Sequence, residues 1–254
     1  MIQAIEIKNL SYRYRDDERN VLNEVSLTIK NNSIVSILGN NGSGKTSLLM
    51  LLLGKLLPKS GKIEYLHSTT EKEEKAKIGY LPQIEEIPFG FSVEEYVMMG
   101  RFPLVGRFHI PDETDREQTR RTLEGLGILE LKTKKLQEVS GGELQKVRIA
   151  RLLIQKPDIF LMDEPANHLD LKNRAELLKI IKKMINDKKI IIFTTHEPHD
   201  SLEIADQVLM LKEGETIAFG STHEVFNESN LEKTFGLAIR LFKVDERTVL
   251  ISGD

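Results

Sequence analysis

The sequence predicts an α/β fold in which a core of parallel strands is joined to an antiparallel β lobe and an inserted α-helical subdomain. Two strongly apolar runs, Ile159–Met162 and Ile190–Phe193, are separated by the helical pattern of Leu171–Ile185. A strand–helix–strand order of this kind implies parallel neighbours. A third apolar run, Ser33–Leu38, leads directly into a glycine-rich loop.

Two stretches alternate in the manner of antiparallel hairpins. Near the amino terminus, Ile5–Ile7 and Val25–Ile29 alternate between apolar and polar residues, and polar turn residues 15–20 lie between them. Near the carboxyl terminus, the same alternation occurs in Ile239–Val244 and Thr248–Ile251. The first hairpin is expected to lead into the glycine-rich loop.

Residues 88–138 change character. Apolar residues recur there at helical intervals around a stretch rich in glycine, proline and aromatic residues, Gly100–Gly106. This segment predicts a helical subdomain inserted into a sheet domain. We expect residues 1–87 and 139–225 to form a RecA-like core with its β lobe, and residues 226–254 to form a short carboxyl-terminal extension.

The loop itself reads GNNGSGKT at residues 39–46. Its glycines allow successive backbone N–H groups to point at phosphate oxygens, and a lysine at this spacing reaches the β- and γ-phosphates. The hydroxyl of Thr46 can ligate Mg²⁺, and the following helix, predicted over Lys45–Leu57, directs its positive end at the same anion. A glycine turn with a solvated lysine is the structural alternative. The predicted phosphate-binding residues are Gly39, Asn40, Asn41, Gly42, Ser43, Gly44, Lys45, Thr46 and Ser47.

An apolar strand, Ile159–Met162, ends in two carboxylates. Asp163 at the end of a buried strand suits an outer-shell ligand of Mg²⁺, and Glu164 can polarise a water for in-line attack on the γ-phosphate. Two acids at the end of a strand are common by themselves. Beside a phosphate loop, they predict hydrolysis.

Residues Ser140 and Glu143 form an S-x-x-E capping box that predicts a helix start. The two intervening glycines weaken a helix, so a purely structural cap explains them poorly. Bare amides at a helix start, together with the Ser140 hydroxyl, can bind an anion. A second phosphate-facing surface in a chain that already holds one indicates ATP bound between two copies.

Composition excludes several classes of protein. Of 254 residues, 40% are apolar and 30% charged, and the formal net charge of −3 argues against a nucleic-acid binder that relies on a basic face. The absence of cysteine excludes disulfides, thiol catalysis and cysteine-bound metal. No secretion signal is visible, and the most apolar segment, Leu48–Leu57, is shorter than the ~20 residues of a membrane span. Any membrane role is therefore expected to be peripheral.

With these motifs the chain resembles, end to end, the ATP-binding subunit of an ABC transporter. The resemblance implies the P-loop NTPase fold of ABC ATPases, hydrolysis of ATP with Mg²⁺, and a homodimer of ATPase subunits. It also implies integral membrane permease subunits as partners, an indirect link to a substrate-binding protein, and no nucleic acid. The expected location is the cytoplasmic face of the cell membrane.

The resemblance assigns further roles. Tyr14 is similar to the aromatic residue that stacks on adenine, with Tyr12 as the neighbour that could be confused with it. Gln83 matches the loop glutamine that senses Mg²⁺ and the attacking water, and Asp170 the loop that communicates across the dimer. His196 matches the switch histidine at the γ-phosphate. The signature that caps the other subunit's ATP corresponds to Ser140, Gly141 and Gly142.

Taken together, the expected catalytic residues are Glu164, His196, Gln83 and Lys45, and the expected metal ligands are Thr46, Gln83 and Asp163. Departures from the family pattern are mild. Val139 replaces the usual leucine, Glu143 the usual glutamine, and residues 166–167 the usual Thr-Ser pair. Arg148 and Arg151, which follow the signature on its helix, are interpreted as surface or ion-pair groups.

Within the family, the segments Met99–Pro103, Gly106–Phe108 and Asp115–Glu117 are similar to ATPases of metal-chelate importers. Those importers carry siderophore-bound iron, haem, cobalamin and, in some cases, molybdate or tungstate. An ATPase of a zinc or manganese importer is the alternative. A soluble ABC ATPase of chromosomes, DNA repair or ribosomes is less favoured, because the chain has neither long heptad repeats nor a second cassette. A non-transport nucleotide switch without a signature-dependent dimer is a third possibility.

Apolar and aromatic residues cluster in the same region of the chain. They could form an exposed patch that receives a helix of the membrane subunit, or they could pack the helical subdomain. The residues are Phe89, Phe91, Phe102, Leu104, Val105 and Phe108.

Overall fold

The computed structural model describes residues 2–15, 18–67, 76–87, 89–102, 112–185, 189–244 and 247–253. The strands are β1 (Ile2–Tyr12), β2 (Leu22–Lys30), β3 (Ser33–Leu38), β4 (Ser60–His67), β5 (Ile78–Leu81), β6 (Ile159–Met162), β7 (Ile190–Thr195), β8 (Gln207–Lys212), β9 (Glu215–Ser221), β10 (Ile239–Val244) and β11 (Arg247–Ser252). The helices are α1 (Lys45–Leu52), α2 (Val93–Met98), α3 (Glu113–Gly125), α4 (Gly141–Leu153), α5 (Leu171–Met184), α6 (Pro198–Ile204), α7 (Thr222–Val225) and α8 (Glu228–Phe235).

The central sheet has the order β5-β6-β7-β3-β8-β9 among the described strands. Strands β5, β6, β7, β3 and β8 run parallel to one another, and the edge strand β9 runs antiparallel to β8. Every residue of β3, β6 and β7 is buried, as expected of parallel strands covered on both faces. The predicted parallel pairing of β6 and β7 is confirmed. Because these strands share one direction, their carboxyl ends bring the residues that follow Leu38, Met162 and Thr195 to the same edge.

A second sheet, in the order β2-β1-β4, is antiparallel, and it confirms the predicted amino-terminal hairpin. Helix α1 lies between the two sheets. One hydrophobic cluster joins α1 residues such as Leu48 and Leu49 to Ile7 of β1, Val25 of β2 and Leu161 of β6. This packing explains why the α1 sequence is apolar on nearly every side.

Helix α1 ends at Leu52, and its predicted extension to Leu57 is wrong. Gly54 adopts a φ of +73°, a left-handed conformation that stops a helix and that glycine adopts without steric cost. The backbone N–H groups of Lys55 and Leu56 both turn back to the carbonyl of Met50. Side-chain periodicity alone did not reveal this stop because the apolar pattern continues beyond it.

Helices α2, α3 and α4 enclose a separate hydrophobic cluster that includes Tyr96, Leu123 and Val147. Ser92 and Asp112 cap α2 and α3 with reciprocal capping boxes. An ion pair of 2.8 Å joins Arg101, in the turn that follows α2, to Asp115 of α3. The helical character predicted for residues 88–138 is therefore present in the part of that segment that the structure describes.

The carboxyl-terminal segment packs back onto the central sheet. Phe226, Leu231 and Ile239 share one cluster with Val208 of β8 and with Leu38. The predicted second hairpin is formed by β10 and β11, which are antiparallel. Among the described helices, none combines the length and apolar character needed to cross a bilayer.

Candidate nucleotide-binding site

The glycine-rich loop connects β3 to α1, as predicted. A Cβ atom on Gly39 would lie 2.2 Å from the backbone oxygen of Leu211, a distance that no side chain can tolerate. Gly44, at φ +104°, lies against Val21 and Leu22, so its conformation and its surroundings both require glycine. The loop therefore has a fixed shape, and the helix N-terminus that follows it is available to an anion.

Lys45 is buried, and its ammonium group points back into the loop. Its Nζ donates to the carbonyl oxygens of Gly39 at 2.8 Å and Asn40 at 3.0 Å, and it lies 3.6 Å from Glu164 Oε1. Burial lowers the pKa of Lys45, and the nearby Glu164 carboxylate opposes that shift. A compact positive charge is thus held at the centre of the loop.

Asp163 is almost fully buried, and its carboxylate lies between two threonines. Thr46 Oγ1 donates to Oδ2 at 2.8 Å, and Thr194 Oγ1 donates to Oδ1 at 2.6 Å. The Thr194 hydroxyl also accepts the backbone N–H of Glu164 at 2.8 Å. A hydroxyl and a carboxylate in contact are hard oxygen donors, which suit Mg²⁺ when it also binds phosphate oxygens. In the described part of the chain, no cluster of three His, Asp or Glu side chains could hold a metal by itself.

Glu164 is the centre of the predicted catalytic group. Its Oε2 accepts hydrogen bonds from Nε2 of Gln83 at 3.2 Å and from Nδ2 of Asn167 at 2.9 Å. The same oxygen lies 3.2 Å from Nδ1 of His196. The structure therefore gathers Gln83, Lys45 and His196 around one carboxylate. The backbone of Glu164 has a φ of +45°, an uncommon conformation for a residue with a side chain and one that occurs frequently at functional sites.

A cavity of about 520 Å³ lies over the loop. Tyr14 stands at its margin, with its hydroxyl 3.1 Å from Ser47 Oγ and its ring edge-to-face with Tyr12 at 5.0 Å. Tyr12 is buried, whereas Tyr14 is 43% exposed. Of the two, only Tyr14 presents a ring to the cavity. The lining residues are Tyr14, Val21, Asn41, Gly42, Gly44, Lys45, Thr46, Ser47, Gln83 and Glu164.

The signature residues do not line this cavity. Ser140 caps α4 as predicted, and both its N–H and its hydroxyl donate to Glu143 Oε2, at 2.7 and 2.8 Å. A Cβ on Gly142 would lie 2.5 Å from the side chain of Asn173, whereas one on Gly141 would meet nothing within 4 Å. Asn173 is held in turn by Asp170, which caps α5. The signature residues and Asp170 thus form a second cluster, which is separate from the residues that line the cavity over the loop.

Sequence reasoning missed several residues of the site. Thr194 bridges Asp163 and Glu164, and its signal was a polar residue near the end of an otherwise apolar strand. Asn167 contacts Glu164 directly, although the sequence pattern gave it no catalytic role. Of the two interpretations of Arg148, as a surface group or as an ion-pair group, the second is confirmed, because its side chain is buried and ion-paired to Glu85 at 3.2 Å.

The aromatic segment is divided between packed and exposed side chains. Phe91 packs against the helical cluster, whereas Phe89 is 88% exposed and Ile84, next to Gln83, is 84% exposed. Phe102 is also exposed. Leu104, Val105 and Phe108 lie outside the described residues.

The chain matches a known protein family, and it is similar in sequence and in fold to known proteins. Residues 22–167 match the family model described as ABC transporter. The chain is 33% identical to a probable iron chelatin transport ATP-binding protein of Helicobacter pylori, over 97% of this chain and 98% of that protein. It is 32% identical to the molybdate import ATP-binding protein MolC of Haemophilus influenzae, over 93% and 90% of the two chains. Its fold is similar to an inward-facing structure of a putative metal-chelate type ABC transporter, with a TM-score of 0.88, 29% identity and coverage of 99% and 98%.

Proposed function

Because this chain belongs to the ABC transporter family of ATP-binding, ATP-hydrolysing proteins, we propose that it is the ATPase subunit of a metal-chelate importer. The cargo class is that of iron-siderophore, haem, cobalamin, or molybdate or tungstate complexes. The observation that carries the catalytic proposal is the Glu164 carboxylate, which contacts Gln83, Asn167, His196 and Lys45 beside the phosphate loop. The relatives named for iron chelatin and molybdate support the cargo class.

ATP is the substrate, and it occupies the cavity over the loop. The loop N–H groups and Lys45 hold the β- and γ-phosphates, while adenine stacks on the exposed ring of Tyr14. The contact between Tyr14 and Ser47 supports this placement because it connects the aromatic side of the cavity to the start of α1. Asn40, Asn41 and Ser43 contribute the remaining polar atoms of the loop.

Thr46, Asp163 and Gln83 are suited to hold Mg²⁺. When bound, Mg²⁺ neutralises charge on the phosphate oxygens. Thr46 would ligate through its hydroxyl, and Asp163 would hold that hydroxyl in place from the outer shell. Gln83 would contribute its amide oxygen, while its amide nitrogen donates to Glu164 at 3.2 Å.

Hydrolysis depends on the group around Glu164. A water oxygen attacks the γ-phosphorus, the bond to the β-phosphate oxygen breaks, and Glu164 accepts a proton from the attacking water. His196, whose ring lies against the same carboxylate, holds the γ-phosphate. Gln83 orients the water, and Lys45 stabilises the charge that develops on the leaving phosphate.

We also propose that two copies complete each site head to tail. Ser140 and Gly141 are exposed at the N-terminus of α4, and neither lines the cavity of its own chain. In the dimer, Ser140, Gly141 and Gly142 cap the ATP of the other subunit with backbone amides and a hydroxyl. Asp170, packed beside the signature, carries communication between the two sites.

The dimer works at the cytoplasmic face of the membrane as a peripheral subunit. Exposed apolar side chains of Ile84 and Phe89 flank the Gln83 loop, and they form the surface for integral permease subunits. A substrate-binding protein acts on the far side of that permease and has no direct contact with this chain. The net charge of −3 gives no basis for a nucleic-acid partner.

Glu164→Gln tests the catalytic proposal. We expect the variant to bind ATP with wild-type affinity, to lose turnover by roughly a hundredfold or more, and to form an ATP-dependent dimer visible by size-exclusion chromatography. Glu203→Gln is the matched control, because Glu203 is exposed on α6 and should leave turnover unchanged. Wild-type hydrolysis by Glu164→Gln would remove that residue from its proposed role.

The cargo class requires a separate experiment. A cell lacking this chain should lose uptake of a radiolabelled ferric siderophore, haem, cobalamin or molybdate, and the wild-type gene should restore it where Glu164→Gln does not. Loss of manganese or zinc uptake alone would support the alternative importer. Co-purification with ribosomes or DNA, without a membrane protein, would favour a non-transport ABC ATPase.

A further inference from the structure

Two buried side chains of α4 contact the backbone on either side of the proposed catalytic pair. Gln145 Nε2 donates to the carbonyl oxygen of Pro165 at 2.6 Å, and Arg148 Nη2 donates to that of Pro82 at 2.5 Å. The two side chains are joined to each other, since Arg148 Nη1 donates to Gln145 Oε1 at 2.8 Å. Each residue is only 9% exposed.

These two backbone positions are next to the two residues of the proposed catalytic pair. Pro82 immediately precedes Gln83, and Pro165 immediately follows Glu164. The side chains of Gln83 and Glu164 meet at 3.2 Å. The contacts therefore close a ring that runs from Arg148 through Pro82 and Gln83 to Glu164, and through Pro165 and Gln145 back to α4.

Arg148 is itself fixed by Glu85, at 3.2 Å from its Nε. Glu85 also pairs with Arg151, whose guanidinium lies 4.4 Å from the ring centre of Tyr96 in α2. The Gln83 loop is thus attached to α4 at two points, Pro82 and Glu85. A movement of α4 cannot leave that loop in place unless these buried, charge-assisted hydrogen bonds are broken.

We infer that Gln145 and Arg148 form a brace through which α4 sets the separation between Gln83 and Glu164. Helix α4 begins at Gly141, within the surface that caps the partner's ATP, and the inference rests on that proposed function. Docking of the α4 N-terminus onto the partner's nucleotide then adjusts the catalytic pair of its own chain directly. Neither Gln145 nor Arg148 lines the cavity over the loop, so both are positioning residues.

Arg148→Met tests the brace. We expect kcat for ATP hydrolysis to fall at least about tenfold while KM for ATP stays within about twofold, because misplaced catalytic groups slow chemistry more than binding. Arg148→Lys keeps the charge but not the planar guanidinium that bonds Pro82, Gln145 and Glu85 together, so it should recover part of kcat. Lys146→Met is the matched control. It lies on the same helix and pairs with Glu176 of α5 instead, so both constants should be unchanged.

A second variant covers the case in which Arg148→Met does not fold. Gln145→Glu keeps an acceptor for Arg148 but removes the donor to Pro165, and it should also lower kcat with little change in KM. The brace is wrong if folded Arg148→Met or Gln145→Glu has wild-type kcat while Glu164→Gln is inactive. If Glu164→Gln itself keeps full turnover, the proposed catalytic role fails, whatever the α4 variants do.

Discussion

Arg174 and Asp200 are joined by two parallel hydrogen bonds, 2.7 Å from Nε to Oδ1 and 2.9 Å from Nη2 to Oδ2. Arg174 lies in the first turn of α5, shortly after Asp170, and Asp200 lies on α6. The same carboxylate accepts the hydroxyl of Thr195 at 2.9 Å, and Thr195 precedes His196. One buried carboxylate therefore connects the start of α5 to the backbone that positions His196.

Breaking this connection should lower stability and turnover together. Replacing Asp200 by Asn removes the charge that both Arg174 and Thr195 use, and we expect the free energy of unfolding to fall by about 1.5–3 kcal/mol. A double-mutant cycle with Arg174→Met, followed by urea unfolding, measures the coupling. The Arg240–Glu228 pair at 2.8 Å is the exposed control, where Arg240→Met should cost much less stability than Arg174→Met. A coupling near zero between Asp200 and Arg174 would contradict the connection.

We expect the buried hydroxyl of Thr194 to contribute to both stability and ATPase activity. Thr194→Val keeps the shape but leaves the backbone N–H of Glu164 and an oxygen of Asp163 without their partner. An unsatisfied buried group costs about 1–3 kcal/mol, so denaturant unfolding should show a loss in that range together with reduced ATPase activity. Thr194→Ser retains the hydroxyl and serves as the control. Equal unfolding curves for the Val and Ser variants would show that the bridge contributes nothing.

The two signature glycines should respond differently to a methyl group. Gly141→Ala places its Cβ in open space and removes a helix-weakening glycine, so the monomer should be as stable as wild type or up to about 1 kcal/mol more stable. Gly142→Ala forces the Cβ against Asn173 and should destabilise the monomer. If the signature caps a partner's ATP, Gly141→Ala also weakens the ATP-dependent dimer of Glu164→Gln. An unaffected dimer in that variant would place Gly141 outside the interface.

The capping box at Ser140 should give the protein a specific response to acid. The Ser140 backbone N–H donates to Glu143 and lowers the pKa of that carboxyl below its ordinary value of 4.5. A carboxyl with a depressed folded-state pKa stabilises the fold above the unfolded-state pKa, and that contribution is lost as the pH falls through the folded-state pKa. Glu143→Gln does not titrate. The difference in Tm between wild type and this variant should therefore shrink as the pH falls from about 6 to about 3, and a constant difference would show that the bond does not affect ionisation.

Much of the site could be predicted because its residues lie next to recognisable local patterns. The loop around Lys45 and the carboxylates after β6 are each specified within a few consecutive residues. Parallel pairing of β3, β6 and β7 then brings them together without further information. Thr194 and Arg148 could not be assigned in this way, since their roles depend on partners such as Asp163 and Glu85, which lie 31 and 63 positions away. The end of α1 was missed for a different reason, because the backbone of Gly54 overrides an apolar pattern that continues past it.

The enclosure of α1 between two sheets has a consequence for engineering. Its side chains belong to a single cluster with those of β1, β2, β3 and β6, so the amino-terminal sheet is not an independent module. A chimera that takes this sheet from a homologue must also take the α1 side chains facing it. Otherwise the mismatch would propagate to the turn around Lys45, even though no residue of that turn had been exchanged.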